Sequence, residues 1–83
     1  MFHLVQEVTA MEDFTLLIKF TDGKEKYYDV KPLFKEITAF EPLVYIAGLY
    51  EQVKVDTGGF GIIWNDDIDL SCNELYVNGY DCL

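Results

Sequence analysis

The sequence contains no arginine, one histidine, one serine and no long apolar run, and each shortage excludes a class of function. All six cations are lysines, which fifteen carboxylates outweigh to give a net charge of -9. Arginine is the usual bidentate reader of guanine and phosphate, and an acidic chain repels the nucleic-acid backbone. We therefore expect no direct binding of nucleic acid; the charge is typical of a cytoplasmic protein or of one that meets a basic partner.

The apolar segments also exclude a membrane protein. None approaches the roughly 20 residues that a spanning helix needs, and the N-terminus shows no signal-peptide pattern. Cys72 and Cys82 lack C-x-x-C spacing and are expected to be free thiols of a reducing compartment. A chain of 83 residues has room for one core, so we expect a single cytoplasmic domain over residues 1–83 with no membrane partner.

The inventory of catalytic side chains is thin. His3 lies at the N-terminus and is expected to be an edge residue rather than a base. Ser71 lacks a nucleophile-elbow motif, and a helix cap explains it. Cys72 beside it could be a nucleophile, but a buried structural thiol is the commoner role. We expect no catalytic residue, no enzymatic activity and no cofactor.

The first third of the chain predicts three strands. Residues 4–11 are expected to form a strand before a turn at Glu12-Asp13. Residues 14–21 then alternate apolar with polar side chains except at Leu17, which indicates partial cover of the second face. Asp22-Gly23 is a strong hairpin signal between strand-like runs, so residues 25–30 are the return strand.

The middle of the chain predicts short helices. Pro32 suits the first turn of a helix whose apolar stripe is Leu33, Phe34, Ile37 and Phe40. Pro42 and Gly48 interrupt the next segment, so residues 43–50 are expected to be a short or irregular helical piece that covers the sheet.

The last third predicts a second hairpin and a capped helix. Residues 51–56 and 60–64 read as strands around a turn at residues 57–59. Ser71 and Glu74 have capping-box spacing, and Gly79 suits a left-handed helix stop. The order of elements predicts an α+β fold, a small antiparallel sheet of about five strands with roughly two or three short helices packed on it.

An acidic turn follows the only tryptophan, Trp64. Its three carboxylates, at Asp66, Asp67 and Asp69, could bind Ca²⁺ or Mg²⁺, but the EF-hand spacing is absent and an Asx-type turn is the favoured interpretation. Trp64 is more often a core residue, although a tryptophan at a strand end can also anchor a partner. The candidate contact surface is Trp64, Asn65, Asp66, Asp67 and Asp69.

Several short pieces in a fixed order carry a family resemblance. They are Leu16-x-Ile18-x-Phe20-x-Asp22-Gly23, Tyr28-Asp29-Val30 before Pro32-Leu33, Val53-x-Val55-Asp56, Gly61-Ile62-x-Trp64, Asp69-Leu70 and Glu74-Leu75-Tyr76. In this order they resemble DUF2442, a small bacterial family of unknown function, over nearly the whole chain. The resemblance implies a compact α+β domain with no established catalytic residues. It also implies a gene neighbour from another small family, DUF4160, in an arrangement that looks like toxin and antitoxin. A helix-turn-helix segment is fused to some members, and none is expected here because the sequence stops at Leu83.

Three hypotheses about function remain. The first is a non-enzymatic protein-interaction module that pairs with a small basic protein encoded nearby, as the antitoxin-like half of a two-gene unit. The second is a metal- or small-ligand-binding domain that uses the acidic turn at residues 66–69. The third is a structural domain that self-associates, as a homodimer for example, through its edge strands.

Overall fold

The computed structural model describes residues 3–82 and confirms the α+β class. Its strands form two antiparallel sheets, so the sheet structure is larger than the single sheet of about five strands that was predicted. The strands are β1 (Val5–Met11), β2 (Thr15–Phe20), β3 (Glu25–Asp29), β4 (Lys54–Val55), β5 (Gly61–Asn65), β6 (Ile68–Ser71) and β7 (Tyr80–Asp81). The α-helices are α1 (Leu33–Glu36), α2 (Pro42–Tyr45) and α3 (Cys72–Asn78), and single 3-10 turns lie at Thr38–Phe40, Tyr50–Gln52 and Thr57–Gly59.

The first sheet has the strand order β1-β2-β3-β7 and contains the predicted hairpin. Leu16, Ile18 and Phe20 alternate along β2 and are fully buried, as the period of two in the sequence requires. Gly23 has a φ of +93°, a left-handed conformation that glycine adopts without a steric cost. Asp22 closes the turn by accepting a hydrogen bond from the Lys24 N–H at 2.9 Å.

The turn between β1 and β2 uses two residues that are not glycine. Asp13 and Phe14 both have positive φ, 59° and 52°, which is the backbone geometry that a two-residue hairpin turn favours. The strand therefore begins at Thr15, one residue later than predicted. The Phe14 ring packs edge-on against Phe34 and Tyr50, with ring centroids 5.1 and 5.0 Å apart, and these contacts offset the backbone cost.

The second sheet has the order β4-β5-β6, and its last strand was not predicted. Ile68 and Leu70 are buried in β6 while Asp69 between them is exposed, an alternation too short to stand out in the sequence. Phe60 was predicted to begin β5 but lies before it and is 55% exposed. The predicted strand at residues 51–56 is only the two-residue β4, because residues 50–52 form a 3-10 turn.

The segment between the sheets departs from a regular helix. Leu33 and Phe40 of the predicted stripe are buried, but Ile37 is 42% exposed. The reason is that α1 ends at Glu36, and the extended backbone of Ile37 turns its side chain away from the helical face. Residues 43–50 are short helical pieces, as predicted, with Leu43 and Leu49 in the core.

The C-terminal helix is capped in only one of the two predicted ways. The Ser71 hydroxyl accepts a hydrogen bond from the Glu74 N–H at 3.1 Å, as a capping serine does. The Glu74 carboxylate instead accepts bonds from the Tyr28 hydroxyl at 2.8 Å and the Asn78 amide at 2.9 Å. Gly79 has a φ of -74°, so the predicted left-handed stop is wrong. A Cβ there would lie 2.5 Å from the Leu75 carbonyl oxygen, so close packing explains this glycine.

Both sheets and the connecting segment share one hydrophobic core. It includes Val5, Phe20, Ile62 and Leu75, and no polar or charged residue within residues 3–82 is classed as buried. None of the helices in this part of the chain has the length and apolar character needed to cross a membrane.

Candidate functional site

The acidic turn joins β5 to β6 and is fixed by the predicted Asx-type hydrogen bond. The Asn65 side-chain oxygen accepts a bond from the Asp67 N–H at 2.9 Å. Asn65, Asp66, Asp67 and Asp69 are all exposed. The turn and the beginning of β6 therefore present three carboxylates and one amide to solvent.

Trp64 lies in the core, so it does not form part of the predicted contact surface. Its ring is 5% exposed and packs edge-on against Phe40, with centroids 6.0 Å apart. The indole N–H donates a hydrogen bond to the Tyr50 carbonyl at 2.9 Å. The indole thus positions the hairpin that carries the acidic turn, and it has little surface to offer a partner.

The carboxylates of the acidic turn are not grouped in the structure as a metal site requires. Within residues 3–82 no group of three or more His, Cys, Asp or Glu side chains is arranged to hold a metal ion. Asp69 belongs to β6, opposite Ile63, whereas Asp66 and Asp67 belong to the turn itself. The metal-binding hypothesis gains no support from this geometry.

The other side chains considered for chemistry have structural contacts. His3 stacks on Tyr76 with ring centroids 3.5 Å apart, and its Nδ1 lies 3.5 Å from the Asp22 carboxylate. Ser71 is the helix cap. Cys72 is buried and Cys82 is half-buried, and both are free thiols, as predicted.

A cleft of about 340 Å³ lies between α1, β3 and α3, and sequence analysis did not find it. The bonded pair of Tyr28 and Glu74 lines it, together with Asp29, Pro32, Leu33, Glu36, Asn78 and Tyr80. Burial raises the pKa of Tyr28 well above its ordinary value, and the bond to Glu74 raises it further. These two residues are 46 positions apart, so no local pattern signals their contact.

Tyr50 connects the middle segment to the first hairpin. Its hydroxyl lies 2.8 Å from the carbonyl oxygens of Met11 and Thr15, which are the two ends of the β1–β2 turn. Burial raises the pKa of Tyr50 to about 12. Because its carbonyl also accepts the Trp64 indole N–H, Tyr50 links the β1–β2 turn to the second sheet.

These raised pKa values predict a loss of stability at alkaline pH. Both tyrosines donate hydrogen bonds only when neutral, and their folded pKa values exceed the unfolded value of about 10. The unfolded state then loses its protons first, so the free energy of unfolding should fall as the pH rises above about 10. Urea unfolding from about pH 8 to about pH 12 measures this slope.

Two variants identify the source of the slope. Tyr50→Phe, which lacks the ionisable hydroxyl, should show a shallower fall than the wild type. Tyr45→Phe changes a ring that is 75% exposed and serves as the matched control. Equal slopes for all three proteins would contradict the assignment to Tyr50.

A short apolar segment remains in solvent. Val44, Tyr45 and Ile46 are 48%, 75% and 55% exposed, although the apolar run around them predicted a piece that covers the sheet. We call these three residues the apolar knob. Buried Leu43 precedes the apolar knob and buried Leu49 follows it, so the segment enters the core on both sides of the knob but not at the knob itself.

The comparison with known families decides the classification. The model of a family described as "Protein of unknown function (DUF2442)" matches residues 5–80. The chain belongs to the DUF2442 family. No curated protein and no solved structure matches this DUF2442 chain.

Many of the residues that carried the DUF2442 resemblance lie in the core or in the hairpin turn of the first sheet. Leu16, Ile18 and Phe20 are core residues, and Asp22-Gly23 is the hairpin turn. Trp64 is buried as well. Most residues of these motifs thus have roles in the fold, whereas the acidic turn and the apolar knob are exposed to solvent.

Proposed function

We propose that this chain is a non-enzymatic protein-interaction module that binds a small basic protein. In this proposal it is the acidic, antitoxin-like member of a two-gene unit and works in the cytoplasm. The observation that carries the proposal is the acidic turn, where Asn65, Asp66, Asp67 and Asp69 are exposed together on a hairpin anchored by buried Trp64. The net charge of -9 supports the same choice of partner.

Electrostatics explains why such a surface suits a basic protein. Complementary charge steers partners together and suppresses wrong ones, and it raises the association rate most at low salt. Asp66 and Asp67 are adjacent in an Asx turn, so two like charges lie on neighbouring residues of one hydrogen-bonded turn. A partner with lysine or arginine side chains would relieve the repulsion between them.

The proposal predicts that reversing two charges of the turn weakens binding. Tagged protein purified from its native cells identifies the partner by mass spectrometry, and calorimetry then measures the affinity. Asp66→Lys combined with Asp67→Lys should weaken binding by about 10-fold or more and reduce its salt dependence. The Asx turn should survive, because Asn65 bonds to the Asp67 backbone and not to its side chain.

A second double variant controls for net charge. Glu7→Lys with Glu12→Lys makes the same change of charge on exposed residues of β1 and of the turn that follows it. It should lose much less affinity than the variant of the acidic turn. Full affinity in the Asp66 and Asp67 variant, with an unchanged circular dichroism spectrum, would overturn the assignment of this surface.

A further inference from the structure

We infer that the apolar knob, Val44, Tyr45 and Ile46, inserts into an apolar pocket of a folded protein whose pocket rim is basic. This inference rests on the proposed function and names a second part of the contact surface. In the part of the chain that the structure describes, these are three consecutive large apolar residues with exposures of 48%, 75% and 55%. Exposed contiguous apolar surface of this kind marks interaction sites.

The knob is held firmly at both ends. Leu43 before it is 3% exposed, and Leu49 and Tyr50 after it are 8% and 6% exposed. The Ile46 N–H donates to the Pro42 carbonyl at 2.9 Å, and the Leu49 N–H donates to the Ile46 carbonyl at 3.1 Å. A segment that is already ordered loses little conformational entropy on binding, so its apolar side chains can contribute more fully to affinity.

Tyr45 is the central side chain of the knob and the most exposed. Tyrosine offers a large apolar ring at a low entropic cost, together with a hydroxyl that can bond at the edge of a pocket. Tyrosine is also among the residues that dominate binding energy at protein interfaces. We therefore assign Tyr45 as the anchor of the contact.

The charged residues near the knob in the sequence indicate the charge of the partner. Between Lys35 and Lys54 the only charged side chains are the carboxylates Glu36, Glu41 and Glu51. Trp64 contacts Phe40, which precedes the knob in the sequence, and Tyr50, which follows it, and the acidic turn comes directly after Trp64 in the chain. An apolar knob whose charged neighbours in the sequence are carboxylates, on a chain of net charge -9, complements an apolar pocket with a rim of lysine or arginine.

The same charges argue against two other occupants. A second copy of the chain would bring a second set of carboxylates and a second net charge of -9 to the contact. An anionic membrane surface would repel the chain for the same reason. A basic protein is the occupant that both the apolar and the charged observations favour.

Photocrosslinking from the knob tests the inference in native cells. The probe is p-benzoylphenylalanine placed at position 45 of the full tagged chain, and the control carries it at Tyr80, an aromatic residue that is 54% exposed in β7. We expect position 45 to give at least several-fold more of one adduct, with a protein of net positive charge. An adduct with a second copy, with an acidic protein or with lipid would overturn the inference, as would no adduct at all.

Affinity for the crosslinked protein provides the second measurement. Tyr45→Ser should weaken binding by about 30-fold, the effect of losing one strong anchor, and the dissociation constant should rise with salt. Tyr80→Ser is the matched control and should bind as the wild type does. Unchanged binding by Tyr45→Ser would overturn the inference.

The two tests fail in different ways. If a basic partner binds and depends on Asp66 and Asp67 but not on Tyr45, the knob is excluded and the proposed function stands. If no protein from the native cells binds the wild-type chain, both the proposed function and the inference about the apolar knob are wrong. Loss of binding in both Tyr45→Ser and the acidic-turn variant supports both.

Discussion

Replacing Trp64 by alanine is expected to lower the free energy of unfolding by about 3–5 kcal/mol. The indole is 5% exposed and contacts Phe40, so its removal leaves a large cavity between the second sheet and the middle segment. The variant also loses the indole hydrogen bond to the Tyr50 carbonyl. Urea unfolding followed by far-ultraviolet circular dichroism measures the change without relying on the missing chromophore.

Trp64→Phe separates the two contributions. Phenylalanine keeps most of the apolar ring, but the Tyr50 carbonyl then retains only the longer bond from the Val53 N–H at 3.4 Å. We expect this variant to lose about 1 kcal/mol for the hydrogen bond, with a further loss for the smaller ring. A cost below about 1 kcal/mol for Trp64→Ala would contradict the central position assigned to this side chain.

Replacing Gly61 by alanine should be nearly as damaging. A Cβ on Gly61 would overlap the Leu70 carbonyl oxygen and lie 3.2 Å from the Ser71 Cα, both backbone atoms of β6. Gly61 pairs with Ser71 in the sheet, so β6 can yield only by breaking its register. Overpacking costs about 1–3 kcal/mol in most cores, and we expect about 3 kcal/mol here because the obstacle is backbone.

Gly48→Ala is the matched control for Gly61→Ala. A Cβ at Gly48 meets nothing within 4 Å, but the residue has a φ of +83°. Its expected cost is about 1–2 kcal/mol, the penalty of a left-handed conformation alone. Denaturant unfolding compares the two variants, and an equal loss in both would show that the predicted clash with β6 is absent.

Local patterns in the sequence were sufficient to predict the first three strands of the first sheet. The alternation along β2 and the Asp22-Gly23 turn act within a few residues of each other, so they specify β2, β3 and their register directly. The capping serine was predictable for the same reason, since Ser71 and Glu74 are one helical turn apart.

Two features that were missed, β7 and the role of Gly79, depend on residues far apart in the sequence. Strand β7 is two residues long and exists because Lys26 and Tyr27 lie opposite Asp81 and Tyr80. Gly79 is explained by its approach to the backbone of Leu75 and Tyr27, which a helix-stop pattern does not contain. Short strands and close approaches of this kind are tertiary effects that override local preference.

The candidate site also has one part that local sequence patterns predicted and one part that they did not. Exposure of Asn65, Asp66, Asp67 and Asp69 followed from their polarity and the turn pattern. The apolar knob did not follow, because an apolar run between buried residues predicts burial. Leu43 is the only buried residue of α2, so Val44 and Tyr45 lie on its exposed faces. Ile46 would return to the side of Leu43 if the helix continued, but it takes an extended conformation with a φ of -95°.

The hydrogen bond between Tyr50 and Trp64 also affects how the chain loses conformational entropy as it folds. Strands β1 to β3 close over short turns, as do β4 to β6, and short loops lose little entropy when their ends meet. The long closures bring the two sheets together across residues 30–53 and bring α3 and β7 back to β3. The Phe40 and Tyr50 contacts with Trp64 contribute to the first of these closures, because Tyr50 also bonds to the β1–β2 turn. The buried indole thus helps to hold together two parts of the chain that can each form locally.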